Sequence, residues 1–209
     1  AWTWEQMALT RARVIYGPPE LVDRLDAVIG AALTRPRDPD KLVLDVADMR
    51  ARLEKEKKAD SIWVVKHTRG GLMDVEFIAQ YLQLRHAPDH PEVLSPNIGT
   101  ALDAIAEAGL IPASDAGTLK EAYHFWLTLH GLLRQSVQGT FDEASASEGL
   151  KEKLRRGTQS VDFAGLKRQM ETFAAEVRAL YARTIEEPAA EARRRLEARD
   201  DDNSQETDA

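Results

Sequence analysis

Apolar side chains return every three to four positions along most of the chain, the spacing of helices that bury one face. Residues 3–16 place Trp4, Ala8, Ala12 and Ile15 on one side before Gly17-Pro18-Pro19 stops the run. From Pro19 to Leu33, Leu21, Leu25, Val28, Ile29 and Leu33 share a face. After Pro36 and Pro39, Asp38 or Asp40 caps a third helix carrying Leu42, Val46, Met49 and Leu53. Residues 72–86 differ in kind: Leu72, Val75, Phe77, Ile78, Tyr81, Leu82 and Leu84 cover more than half of the helix surface, which predicts a central helix. Asn97 opens a helix that stops at Gly109, and Ser114 or Asp115 caps a long one to about Gln138 with Leu119, Tyr123, Trp126, Leu127, His130 and Leu133 inward. A short helix at Glu148–Arg156 and a long one from Phe163 through Met170, Phe173, Val177 and Leu180 complete the pattern. The sum is an all-α bundle of about six to seven helices. Ser61 to Lys66, rich in β-branched and aromatic residues, reads as a short extended segment that needs a strand partner. Past Glu186 the apolar rows fade, so 189–199 reads as a frayed charged helix and 200–209 as disordered.

Composition narrows the function classes. Hydrophobic residues make up 43% of the 209 positions, enough for a packed core, while the net charge of -7 without a large basic patch argues against a nucleic-acid partner. There is no cysteine, which removes disulfides and thiolate metal sites. No apolar run reaches the roughly 20 residues of a membrane helix, and no signal-peptide pattern opens the chain, so the expected location is cytoplasmic. The opening Ala1-Trp2-Thr3-Trp4 has no initiator methionine and no capping signal, as in a chain cut from a longer one.

The densest chemistry lies in Lys66-His-Thr-Arg69-Gly70-Gly71-Leu-Met-Asp74-Val-Glu76. Paired glycines before a helix expose N–H groups at its positive end, and Lys66 and Arg69 add positive charge, which makes an anion cradle one reading. A tight turn is the other. Asp74 and Glu76 look like paired carboxylates, but positions two apart on a helix point about 200° away from each other, so they cannot share one metal site. Asp74 then stabilises the helix end, and Glu76 needs a cation, for which Lys66, Arg11 or Arg13 would serve; a salt bridge and a contact to a functional site both remain open. His86, His90, His124 and His130 show no metal spacing, and no P-loop, Gly-x-Ser-x-Gly or dinucleotide fingerprint is present.

Two segments, Trp4-Glu5-x-x-Ala8-Leu9-x-Arg11-Ala12-Arg13 and Gly70-Gly71-x-x-Asp74-Val75-Glu76-Phe77-x-x-Gln80-Tyr81-Leu82, resemble the bifunctional glutamine synthetase adenylyltransferase/adenylyl-removing enzymes. The Trp-x-Trp-Glu opening and the Asp-Val-Glu-Phe form look like the helical domain after the second, C-terminal nucleotidyltransferase core. Thr68 departs from the family, where glycine is common.

The resemblance divides the chain into residues 1–17, the last helix of the preceding core, residues 18–185, a helical bundle for substrate or regulator, and residues 186–209, a charged disordered tail. It implies transfer of AMP from ATP to a tyrosine of glutamine synthetase, reversed by phosphorolysis, with Mg2+ and ATP held by a Gly-Ser motif and paired aspartates absent from this chain. It also implies three further partners: the PII signal protein, glutamine as effector, and the preceding core. On this reading the chain holds no catalytic or metal-ligating residue of its own and is inactive alone. Arg11, Arg13, Lys66, Arg69, Gly70, Gly71, Asp74 and Glu76 are the candidate contacts to the active site or its supporting shell. A PII uridylyltransferase, which shares the Gly-Gly-x-x-Asp-x-Glu-Phe theme, and a free-standing helical adaptor are the competing readings.

Overall fold

A computed structural model describes residues 2–207, with side chains to Arg199. The described chain is an all-α bundle: α1 (Thr3–Leu9), α2 (Pro19–Leu33), α3 (Pro39–Glu56), α4 (Leu72–His86), α5 (Ile98–Glu107), α6 (Ala113–Ser136), α7 (Glu148–Gly157), α8 (Phe163–Tyr181) and α9 (Glu187–Thr207). A 3-10 turn, Pro91–Val93, precedes α5, and a π segment, Ala182–Glu186, joins α8 to α9. Counting α8 to α9 as one continuous rod gives eight helices among the described residues rather than six to seven. No helix among them is long and apolar enough to cross a membrane.

Helix α4 is the axis of the bundle. Its side chains from Leu72 to Leu84 are buried except at Glu76, and α1, α3, α5, α6 and α8 all pack against it. A surface helix needs one apolar stripe, whereas a helix walled on several sides must be apolar almost all round, which is what its sequence shows. Side-chain caps fix where several neighbours begin: Asp38 Oδ1 accepts from the N–H groups of Asp40 and Lys41, Asn97 Oδ1 from Thr100, and Ser147 Oγ from Leu150. The long helix α6 starts without one. Pro112 stands at its N-cap, and Ser114 and Asp115 lie within its first turn. Leu127 of α6, placed inward by periodicity, is exposed.

Three expectations fail for physical reasons. The first helix ends at Leu9 instead of continuing to residue 16, and the Thr10 hydroxyl donates back to the Met7 carbonyl at 2.7 Å. Ile15 and Tyr16 have no packing partner and stand 86% and 95% exposed, so nothing supports further turns.

Residues 61–66 are turns, not an extended segment. Val64 N–H donates to the Ser61 carbonyl, His67 and Thr68 N–H to that of Val64, and the carbonyls of Val65 and Lys66 accept from Leu72 and Met73 at the start of α4. The bulky side chains here serve burial, not pairing: Trp63 stacks on Phe163 with ring centroids 5.5 Å apart and meets Phe141 at 4.4 Å.

The segment read as a disordered tail is helical to Thr207, while Asp208 and Ala209 lie outside the described residues. Ile185, Ala189 and Ala192 are buried, a sparse stripe of small residues that lets α9 lie close along α3, and Arg193–Asp48 (2.9 Å) and Arg195–Asp40 (2.6 Å) tie the two together. Within the π segment the Glu187 N–H reaches back five residues to the Ala182 carbonyl. Pro188 supplies a local reason, because its nitrogen has no hydrogen for the Thr184 carbonyl and its ring crowds a regular turn.

Candidate functional site

The structure draws some of the sequence-selected residues into one knot and scatters the rest. At its centre the Asp74 carboxylate is fully buried. Oδ2 accepts from the Gly70 N–H at 2.6 Å, and Oδ1 accepts from Arg50 Nε of α3. The Arg50 guanidinium, 1% exposed, also donates to the His67 carbonyl at 3.2 Å. One carboxylate and one guanidinium thus hold the 67–70 turn against α3 and α4.

This arrangement decides between the two readings of Gly70-Gly71. The Gly70 N–H is taken by Asp74, the Gly71 N–H by the Thr68 carbonyl at 2.9 Å, and those of Leu72 and Met73 by Val65 and Lys66. With its leading donors engaged, the start of α4 offers no anion cradle; Asp74 already occupies the place an anion would take. Close approach explains both glycines. Gly70 has φ +77°, and a Cβ there would overlap the Ala174 carbonyl of α8. A Cβ at Gly71 would strike the Val65 carbonyl.

The remaining candidates leave the knot in different directions. Arg69 lies over the Tyr181 ring, 5.0 Å from its centroid, and pairs with Glu186 of the π segment and more loosely with Glu54 at 3.8 Å. Burial, and after it the Asp74 charge, pushes the Tyr181 phenol well above its ordinary range, and its hydroxyl is buried without a partner. Glu76 faces the outer side of α4, with Arg11 Nη1 3.9 Å away. Burial pushes its carboxyl up, against the pull of Arg11 and Lys66. Lys66 lines a separate cavity with His67 and His130, and Arg13 is exposed.

Arg50 was missed by sequence reasoning. The signal was present: Val43, Val46 and Arg50 are spaced i, i+3, i+7, so a cation stands on the buried face of an amphipathic helix, where it needs a counter-charge.

The carboxylates of this arrangement are engaged within the fold. Asp74 is spent on Arg50 and Gly70, Glu76 faces Arg11, and no group of three or more His, Asp or Glu among the described residues converges as metal ligands would. These residues do not fit a magnesium–triphosphate site. The unfilled surface lies elsewhere. Of the ten exposed large hydrophobic residues among the described ones, seven fall in the first 28 positions: Trp2, Trp4, Ile15, Tyr16, Leu21, Leu25 and Val28. Apolar side chains left exposed along one stretch of chain are available for another body to cover.

The histidines set an acid limit on stability. His67, His86 and His130 are held below the ordinary imidazole value, in each case mainly by burial and then by neighbouring cations such as Lys66 or Arg85. The unfolded chain therefore takes up protons more readily, so their contribution is present above about pH 6.5 and is lost as pH falls through it. Glu76 has the opposite sign: its raised value favours the fold at lower pH, below the carboxylate range, and that gain is lost as pH rises. The expected result is an unfolding temperature that drops from about pH 7.5 to about 5.5, less steeply in His67→Gln. A flat profile over that interval would contradict the burial of these imidazoles.

A family model described as GlnD PII-uridylyltransferase matches residues 47–185. Among curated proteins the chain is similar to the bifunctional glutamine synthetase adenylyltransferase/adenylyl-removing enzyme of Rhodopseudomonas palustris, 42% identical over 185 residues, 88% of this chain and 19% of that protein. The enzymes of the same name from a Bradyrhizobium species and from Xanthobacter autotrophicus are 41% and 40% identical, each over 90% of this chain and 19% of their own length. The chain thus spans about a fifth of the length of the curated relatives it matches.

Proposed function

The chain belongs to the family whose model is described as GlnD PII-uridylyltransferase, and over most of its length it is homologous to bifunctional glutamine synthetase adenylyltransferase/adenylyl-removing enzymes; from that premise we propose that it is the helical scaffold beside the adenylylating nucleotidyltransferase core of such an enzyme. The whole enzyme transfers AMP from ATP to a tyrosine of glutamine synthetase and removes it by phosphorolysis. The core that this scaffold serves supplies the Mg2+ and ATP ligands. This chain supplies the surface on which the core rests and on which glutamine synthetase, the PII protein or glutamine acts.

The observation that carries the reading is the contrast between a closed interior and the exposed apolar side chains of residues 2–28. Around Asp74, the group most suggestive of catalysis, every named partner lies within the fold. The apolar side chains of residues 2–28, by contrast, stand largely uncovered. A scaffold docked beside another domain has this combination. A self-sufficient adaptor would bury those side chains or gather them into a groove for a partner helix.

The test is reconstitution. In the intact enzyme, replacing Trp4 and Ile15 by serine is expected to lower AMP transfer to glutamine synthetase at least tenfold by loosening the core, and this chain alone is expected to transfer no AMP. AMP transfer by the isolated chain would overturn the scaffold assignment. UMP transfer to PII by the intact enzyme would move it to the uridylyltransferase branch.

A further inference from the structure

Beside the Asp74 knot, with which it shares His67, the 63–67 turn, the C-terminal half of α6 and residues 137–141 line a cavity of about 360 Å³. That lies within the range of about 300–1,000 Å³ in which small-molecule sites fall. Four basic side chains line it, Lys66, His67, His130 and Arg134, and no carboxylate does. In a chain with a net charge of -7, a lining of two cations, Lys66 and Arg134, with two imidazoles and no carboxylate stands out. Lys66 and Arg134 enter no ion pair among the described residues, so both charges are available to a ligand. Glu76 acts on Lys66 electrostatically, but its carboxylate faces Arg11 and does not line the cavity. Buried Nδ1 of His67 has no hydrogen-bond partner in the fold. A buried polar atom left without a partner weakens the fold unless a ligand or water meets it.

We propose that this cavity binds a small dianionic phosphoryl group, free or carried on a small molecule, through Lys66, Arg134 and the two imidazoles. The chemistry selects a phosphoryl group over a single carboxylate. A guanidinium and an ammonium together balance a dianion, and two imidazole nitrogens supply further donors to its oxygens. Apolar walls from Trp63 and Phe141 exclude water on the far side and strengthen each charged contact. The ligand is held by side chains and not by the N–H groups at the start of α4, whose leading donors are already engaged, and the proposal does not depend on the enzyme reading above.

Calorimetric titration of this chain with inorganic phosphate at low ionic strength is expected to show saturable binding at one site. Arg134 is exposed on α6, so Arg134→Gln leaves the fold intact and is expected to weaken binding about tenfold or more, and His130→Gln by a few-fold. Arg168→Gln, distant in sequence and outside the cavity, is expected to leave it unchanged. Phenyl phosphate binding more tightly than inorganic phosphate identifies a carried phosphoryl group, and equal affinities identify the free ion. Absence of saturable phosphate binding, an unchanged affinity in Arg134→Gln, or benzoate binding as tightly as phenyl phosphate would each overturn the assignment.

Discussion

Replacing Arg50 by alanine is expected to cost the fold about 3–5 kcal/mol, because it leaves the Asp74 carboxylate buried without its cation. Arg50 and Asp74 are 1% and 0% exposed, so water cannot take over the lost contact. Asp74→Ala removes the other half, freeing both the guanidinium and the Gly70 N–H, and is expected to cost a similar amount. The pair can be told apart from its parts by the double replacement Arg50→Met with Asp74→Leu. Matched apolar side chains remove both charges, and at other buried pairs such swaps are close to neutral. Here the double variant is expected to recover much of either single loss but not all, since the turn at Gly70 still lacks its acceptor. Urea unfolding of the three variants measures this directly. A loss below about 1 kcal/mol in Arg50→Ala would mean that the pair is solvated in practice.

Gly70→Ala is expected to be nearly as damaging, by about 2–5 kcal/mol, for two separable reasons. The first is conformational: φ at Gly70 is +77°, where a side chain costs about 1–2 kcal/mol. The second is steric, since the new methyl group would overlap the Ala174 carbonyl and push α8 off the start of α4. Gly109 provides the control. Its φ is +71°, but nothing lies within 4 Å of the methyl group an alanine would bring. Gly109→Ala should therefore show the conformational part alone, and the excess at Gly70 reports how closely α8 is seated. Equal losses at the two positions would remove the steric argument, and thermal unfolding of both variants is sufficient to decide it.

How much of this was readable beforehand depends on the range of the forces involved. The central place of residues 72–86 was legible because burial on several sides writes itself into periodicity. Asp38 and Asn97 as caps were legible because a cap is a contact with residues two or three positions on. The turn at 61–66 was misread because β-branched and aromatic residues signal burial as strongly as they signal pairing, and only the location of Phe141 and Phe163 separates the two. The final helix was read over 189–199 but as frayed and ending in a disordered tail, for the reverse reason: alanines bury little area each, so α9 carries a weak apolar signal although it lies along α3. In the candidate site, the glycine pair and Asp74 were visible as a motif, but their purpose was not. Arg50, which engages Asp74 from 24 positions upstream, belongs to a contact that no local pattern encodes.

The widened turn at Ala182–Glu186 has a consequence for how this fold tolerates changes of length. It accommodates one residue more than a regular helical turn would, so the rod is out of phase with itself by about 100° on either side of that point. The phase offset is what allows Leu180 and Tyr181 to look toward α4 while Ala189 and Ala192 look toward α3. Losing a single residue between 182 and 186 would force Pro188 into a regular turn that cannot hold it and swing Ala189 and Ala192 out to solvent. Gene variants in this stretch should therefore tolerate many exchanges of side chain yet reject the shortest deletion.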